Sequence, residues 1–276
     1  MKGSITIAQI QSEFGNPEKN FEKVRKIISQ IQPAEHHLLI LPELWSSGFD
    51  LKQTHIHYQA DSRIVNDLSV LASEKKLWIA GSYITKDNDI FHNTFVLNSP
   101  SGELFTYHKI HLIRLMNEHS YFQPGNEFVA VNTPFASFGL SLCYDLRFPY
   151  QFQQLSHIGC NVFLLPAAWP ITRINHWNSL IHARAIENQA FFIACNAVGG
   201  THRETFGGSS AVLSPWGDWL FQGNDQDEYL ETIEIDIQET TNLRNQFPVI
   251  SEQYQDEQAK LPVNLLNYSD STSSTP

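Results

Sequence analysis

A cysteine, an acid and a lysine, each just past a predicted strand, carry the chemical potential of this sequence. Cys143 sits in SFGLSLCYDLRFP, where an apolar strand ends and a helix is predicted to begin. That placement lifts a side chain out of a sheet, points backbone N–H groups at it and favours a thiolate through the helix terminus. A thiolate attacks carbonyl carbons, but a free thiol is mostly protonated at neutral pH and needs a base or a positive field. The competing reading is a buried structural cysteine, which Cys160 and Cys195, inside GCNVFLLP and FFIACNAVG, represent here. Glu43, in LLILPELWSSGFD, lies beside Leu41, Pro42, Leu44 and Trp45, a partly desolvated setting suited to an acid that moves protons. An exposed loop acid is the alternative. Lys109, in LFTYHKIHLIR, is either a cation for a developing oxyanion or an ordinary solvated lysine. All three fall at the C-terminal ends of strands, where open α/β sheets place their sites.

The elements that must position them follow from apolar patterning. Residues 4–10 read as a strand. Asn16-Pro17-Glu18 is a helix start, and Phe21, Val24, Ile27, Ile28 and Ile31 form one helical stripe. Residues 37–41 read as a strand buried on both faces, 61–76 as a helix and 77–84 as a strand. Two hairpins are predicted, 91–97 with 103–108 and 209–213 with 219–222. Strands at 138–142, 162–165, 190–197 and 229–237 alternate with helices after Cys143, at 175–189 and at 239–246. Such alternation predicts a mixed α/β sheet architecture with helices outside.

Composition narrows the partners. A net charge of -11 leaves no basic surplus for a phosphate backbone. The opening MKGSITIAQI lacks a signal-peptide core, and no run reaches membrane-spanning length, so no nucleic acid and no membrane are expected as partners. Three cysteines without CxxC spacing point away from disulfides and toward a reducing, cytoplasmic setting. No linker divides the chain, which predicts one domain over 1–264 and a disordered polar tail over 265–276.

The segments LPELWSSGF, YHKIHL and LCYDLRFP resemble the three signature motifs of the nitrilase (carbon–nitrogen hydrolase) superfamily, in its Glu–Lys–Cys order. The likeness runs from ITIAQI through HARAIENQAFFIACNAVG to SAVLSPWGDWL. Within it, HLIRLMNEHSYFQPGN, CYDLRFP, the AAWP segment and HWNSLIHARAIENQ are most similar to omega-amidases, which hydrolyse 2-oxoglutaramate and 2-oxosuccinamate. The resemblance implies a four-layer αββα sandwich, a homodimer, no metal or organic cofactor, and a small-molecule amide substrate. It implies Glu43 as general base, Lys109 with the backbone N–H of Tyr144 at the oxyanion, Cys143 as nucleophile and Glu118 as a second acid; as a residue, Glu118 also reads as a surface acid.

A keto-acid amide carries a carboxylate far from its amide, and a cation should meet it. Arg147 is the first candidate, with an ion pair to Asp145 or Glu187 as the competing reading; Arg114 and Arg173 are weaker ones. Trp169 either lines the pocket or simply packs. Twelve histidines, including the pairs His55/His57 and His108/His111, show no HExxH or zinc-ligand spacing. G-x-S-x-G is absent too, which disfavours a serine hydrolase. Two rivals remain. One is an N-carbamoyl amide hydrolase or nitrilase with the same triad; the other is a silent binding scaffold, which would have no need of the triad.

Overall fold

The computed structural model describes residues 1–32, 34–200 and 204–254; the expected tail over 265–276 lies outside them. The chain runs β1 (Lys2–Gln9), α1 (Pro17–Gln30), β2 (His37–Ile40), α2 (Thr54–Lys75), β3 (Leu77–Asp87), β4 (Ile90–Asn98) and β5 (Leu104–His108). It continues through β6 (Ala130–Asn132), β7 (Ser137–Leu140), α3 (Pro149–His157), β8 (Val162–Ala167), α4 (Ile174–Asn188) and β9 (Phe191–Asn196). A short ribbon of β10 (Val198–Gly200) and β11 (Thr205–Gly207) precedes β12 (Ala211–Leu213), β13 (Trp219–Gln222), β14 (Tyr229–Asp236), α5 (Gln238–Gln246) and α6 (Val249–Tyr254).

Two six-stranded sheets form, in the orders β14-β1-β2-β3-β4-β5 and β13-β12-β9-β8-β7-β6. Each has a parallel trio at its centre, β1-β2-β3 in one and β7-β8-β9 in the other, with antiparallel strands outside. Side-chain alternation builds the layers. Leu38 and Ile40 face inward against Phe138, Leu140, Val162 and Leu164, so the two sheets share one core. Leu39 and Leu41 face outward onto Val24 and Ile28 of α1 and Ile64, Leu68 and Ala72 of α2. Phe163, Leu165 and Phe192 likewise meet Phe152 of α3 and Trp177 and Ile181 of α4. The result is the expected αββα sandwich.

Local signals behave as their chemistry dictates at α1. Asn16 Oδ1 accepts from Lys19 N at 3.3 Å, Pro17 opens the helix, and Phe21, Val24 and Ile28 are its buried apolar face. The second helix differs from expectation: it begins at Thr54, not near 61. Asp50 caps a 3-10 turn over Leu51–Gln53 that runs straight into α2. The early turns bury Thr54, His57 and Asp61, so no apolar stripe marks them. Among the described residues no helix is long and apolar enough to cross a membrane.

Candidate active site

Glu43 is positioned by the strand that precedes it. Past β2, Leu41 N still donates to Ala80 O at 2.8 Å, and Glu43 N reaches across to Ala167 O of the other sheet at 3.3 Å. The chain then turns sharply: Leu44 has φ 44° and Phe49 φ 67°, strained values for residues with a Cβ. Three buried groups hold this turn. Ser82 Oγ accepts from Leu44 N at 2.8 Å, Asn20 Nδ2 donates to Ser46 O at 2.7 Å, and Asp61 accepts from Ser46 Oγ at 2.5 Å.

Lys109 extends the β4–β5 pairing by one residue, its N–H donating to Asn93 O at 2.9 Å. Its ammonium donates to Glu43 Oε1 at 2.7 Å and to both oxygens of Glu118 at 2.9 Å. All three side chains are fully buried. Glu118 sits on a 3-10 turn after Asn117 (φ 62°), and Ile113 N donates to its Oε2 at 2.7 Å. The surface-acid reading of Glu118 therefore falls. Although burial opposes the charge, Glu118, Glu43 and Cys143 together hold the Lys109 ammonium well above its usual range. Burial, reinforced by Glu43, raises the Glu118 carboxyl.

Cys143 opens a 3-10 helix over Cys143–Arg147 with φ 41°, a left-handed conformation at a strand-to-helix elbow. The buried thiol lies within electrostatic reach of Glu43 and beside Ala168 N, whose N–H donates to Glu43 Oε2 at 3.1 Å. The expectation of a thiolate is corrected here. Burial first, and then the Glu43 charge, push the Cys143 thiol well above its usual range, outweighing Lys109. The resting group is a thiol aimed at a carboxylate. Cys160 and Cys195 are buried, as the inert reading requires.

The elbow is pinned by Asp145, which the sequence reading considered only as a partner for Arg147. Its buried carboxylate accepts from Leu142 N at 2.9 Å, Tyr107 Oη at 2.7 Å, His111 N at 3.1 Å and His111 Nδ1 at 2.7 Å. Tyr107 and His111 bracket Lys109 in sequence, so one carboxylate ties the cysteine elbow to the lysine strand. Arg147 therefore has neither expected partner. Asp145 is committed as described, and Glu187 accepts from Arg184 at 2.8 Å. The half-buried Arg147 guanidinium lies 4.5 Å over the Trp169 ring and 5.7 Å from that of Tyr144, with His176 Nδ1 at 3.5 Å. Trp169 is buried and directly follows Ala168. Tyr144 N makes no hydrogen bond to another described residue. Arg114 is exposed, and Arg173 approaches Glu204 at 3.9 Å.

Sequence reading also missed Asn93, fully buried on β4, whose Nδ2 donates to Glu43 Oε1 at 2.8 Å and Glu118 Oε1 at 3.3 Å. Its signal was available: an Asn inside IFHNTFVLN, beside the lysine strand. A narrow space bounded by Glu43, Phe49, Ala197 and Phe206 shares Phe49 and Phe206 with a cleft of about 280 Å³ that Leu115, Met116 and Asn117 also line. Another groove, of about 600 Å³, runs along α1 and shares Gln11 and Ser12 with that narrow space. Among the described residues no cluster of His, Cys, Asp and Glu could hold a metal ion.

Residues 4–245 match the family described as carbon-nitrogen hydrolase. The chain is 34% identical over 255 residues to the 2-oxoglutaramate amidase of Bacillus subtilis (strain 168), covering 91% of this chain and 98% of that protein. A 2-oxoglutaramate amidase of Paenarthrobacter nicotinovorans is 34% identical over 273 residues, covering 92% and 91% respectively. In three dimensions the chain is similar to a CN-hydrolase superfamily protein of Xanthomonas campestris, with a TM-score of 0.85 at 25% identity, across 97% of this chain and 100% of that one.

Proposed function

This chain belongs to the carbon–nitrogen hydrolase family, and on that premise we propose that it is an omega-amidase acting on small keto-acid amides. The observation that carries the reading is one buried cluster: a lysine held between two carboxylates, with a buried thiol beside one of them. A structural core has no use for such a cluster, since burying charges costs several kcal/mol per ion. The names of the relatives, 2-oxoglutaramate amidase in both cases, support the substrate class.

In this mechanism Glu43 removes the Cys143 proton as the sulfur attacks the amide carbonyl. The Lys109 ammonium and Tyr144 N–H stabilise the oxyanion; losing one such donor typically costs roughly 10²–10³ in turnover. Protonated Glu43 then gives its proton to the departing ammonia, leaving a thioester on Cys143. Glu43 next takes a proton from water as the water oxygen attacks the thioester carbon; the C–S bond then breaks, and Glu43 returns the proton to the departing sulfur, which releases the acid and restores the thiol. Glu118 keeps Lys109 in place throughout. Arg147, stacked on Trp169, is the candidate to take the substrate carboxylate, supported by its cationic fork having no carboxylate among its contacts with the described residues. We also propose a homodimer, supported by exposed apolar side chains on the outer helices, Tyr150 and Ile158 at α3 and Ile186 on α4, and a cytoplasmic setting, supported by three free cysteines.

Ammonia release from 2-oxoglutaramate, 2-oxosuccinamate, glutamine, asparagine, an N-carbamoyl amino acid and a nitrile tests the reading. Keto-amides should be turned over best, and Cys143→Ala and Glu43→Gln should fold but lose nearly all activity. Turnover of the N-carbamoyl acid or nitrile in preference to the keto-amides refutes the substrate class, and appreciable activity in Cys143→Ala refutes the mechanism.

A further inference from the structure

The two oxygens of Glu43 have different surroundings. Oε1 accepts from Lys109 Nζ at 2.7 Å and from Asn93 Nδ2 at 2.8 Å. Among the described residues Oε2 accepts from Ala168 N at 3.1 Å, and that same N–H lies beside the Cys143 sulfur. The thiol thus stands on the Oε2 side. A carboxylate free to rotate would present either oxygen to the sulfur, so something must hold the plane. Lys109 alone does not do so, because Glu118 draws on the same ammonium with both of its oxygens.

Asn93 supplies the missing constraint. Its backbone is locked between β3, opposite Ile84, and the Lys109 N–H that its carbonyl accepts. Its amide has two N–H bonds. Nδ2 faces Glu43 Oε1 at 2.8 Å and Glu118 Oε1 at 3.3 Å. Its Oδ1 is buried with no hydrogen-bond partner among the described residues. Turning the amide over would set that oxygen against two carboxylates, so the donor orientation is dictated by charge. An unpartnered buried carbonyl is a cost that sheet packing alone would not favour at this position.

We propose that Asn93 is a positioning residue: its amide occupies Oε1 of Glu43 and ties it to Glu118, so that Oε2 is the oxygen that exchanges a proton with the Cys143 sulfur. The inference rests on the assignment of Glu43 and Cys143 proposed above. Asn93 touches no reacting atom; it acts through the carboxylate. Because its N–H groups favour the ionised pair, their loss makes the base-competent state harder to reach. The titratable groups facing Glu43 among the described residues are Lys109 from the end of β5, Glu118 from its 3-10 turn and Cys143 from the elbow.

The test is the pH dependence of kcat and kcat/KM for Asn93→Leu, which keeps most of the side-chain volume without a donor. The kcat should fall about tenfold to a hundredfold, the usual effect of deleting a hydrogen bond to a charged group. KM should stay within about threefold, and the acid limb of kcat/KM should move to higher pH by about one unit. If Asn93→Leu does not fold, Asn93→Ala is measured in the same way, with a melting curve to confirm a native state. An unmoved acid limb, or a raised KM with unchanged kcat, overturns the proposal even if stability drops. Cys143→Ala and Glu43→Gln are run alongside. If both are inactive while the Asn93 variant matches wild type, only the role of Asn93 fails; if either retains turnover, the mechanism beneath it fails.

Discussion

Replacing Asp145 by Asn changes one atom in the carboxylate that joins the cysteine elbow to the lysine strand. The two oxygens divide the work: Oδ2 accepts from Leu142 N and Tyr107 Oη, and Oδ1 from both nitrogens of His111. An amide keeps one of those oxygens, and on either side its NH2 meets a backbone N–H that cannot accept. At least one charge-assisted hydrogen bond is lost and a donor faces a donor. With about 1.5–3 kcal/mol for a bond to a charged group and a further cost for the clash, the loss is about 3 kcal/mol. For a chain of this size that corresponds to a Tm lower by roughly 6–12 °C. Activity should suffer more than stability explains. Leu142, whose N–H rests on that carboxylate, immediately precedes the strained Cys143. A shift of the elbow by about 1 Å costs on the order of a hundredfold in kcat. KM should change little, because Asp145 lies beneath the elbow and touches no substrate. Ammonia release at saturating and limiting keto-amide, with thermal melts by circular dichroism, separates the effects. A kcat within about threefold of wild type, alongside the lowered Tm, would show that Asp145 holds the fold and nothing more.

Lys109→Met leaves Glu43 and Glu118 face to face without their ammonium, so it should cost about 3–5 kcal/mol of stability, as broken buried ion pairs do; adding Glu118→Gln should recover part of the melting temperature but none of the turnover, and recovered turnover would refute the oxyanion role. Asp61 gives a prediction in pH. Burial pushes its carboxyl up to about 7, whereas an unfolded Asp ionises near 3.9. Between those values the folded state keeps a proton that the unfolded chain has lost, so stability falls as pH rises through this window and is flat on either side. The span amounts to about 4 kcal/mol at most. Asp61→Asn mimics the protonated acid, with its NH2 toward Ser46 and its oxygen toward Ile84 N, and should remove that slope. Urea unfolding at pH 4.5 and 8 checks this; equal pH dependence in both proteins would contradict it.

Much of the site was legible because strand ends announce themselves. Leu38–Leu41 and Phe138–Leu142 are mostly apolar stretches that stop just before Glu43 and Cys143, and the hairpin strand over 103–108 stops just before Lys109. What escaped the sequence was polar burial. The start of α2 shows no stripe because Thr54, His57 and Asp61 face inward to brace the turn after Glu43. Asn93 looks like an outward strand position until its contacts are known, since alternation cannot distinguish a face that meets water from one that meets two carboxylates. The state of Cys143 was misjudged for a different reason. The helix after it is a single 3-10 segment of five residues, too short for much of a dipole, and burial beside Glu43 outweighs what field it has.

A raised thiol is compatible with nucleophilic chemistry once the charge of the whole cluster is followed. With both acids ionised, the enclosed groups carry two negative charges and one positive, the latter on Lys109. Moving the proton from Cys143 to Glu43 leaves that sum unchanged; one negative charge merely passes from a carboxylate to the sulfur. The desolvation that makes an isolated buried thiolate costly is therefore largely cancelled, because the ionised Glu43 carboxylate was already bearing it. What the transfer does alter is the hold on Lys109, which loses a charged partner at 2.7 Å. Glu118 compensates with two oxygens at 2.9 Å. The second acid thus keeps the ammonium in place at the moment Glu43 is neutral and the oxyanion forms. A Glu–Lys–Cys arrangement without it would leave its cation weakly held when the cation is needed.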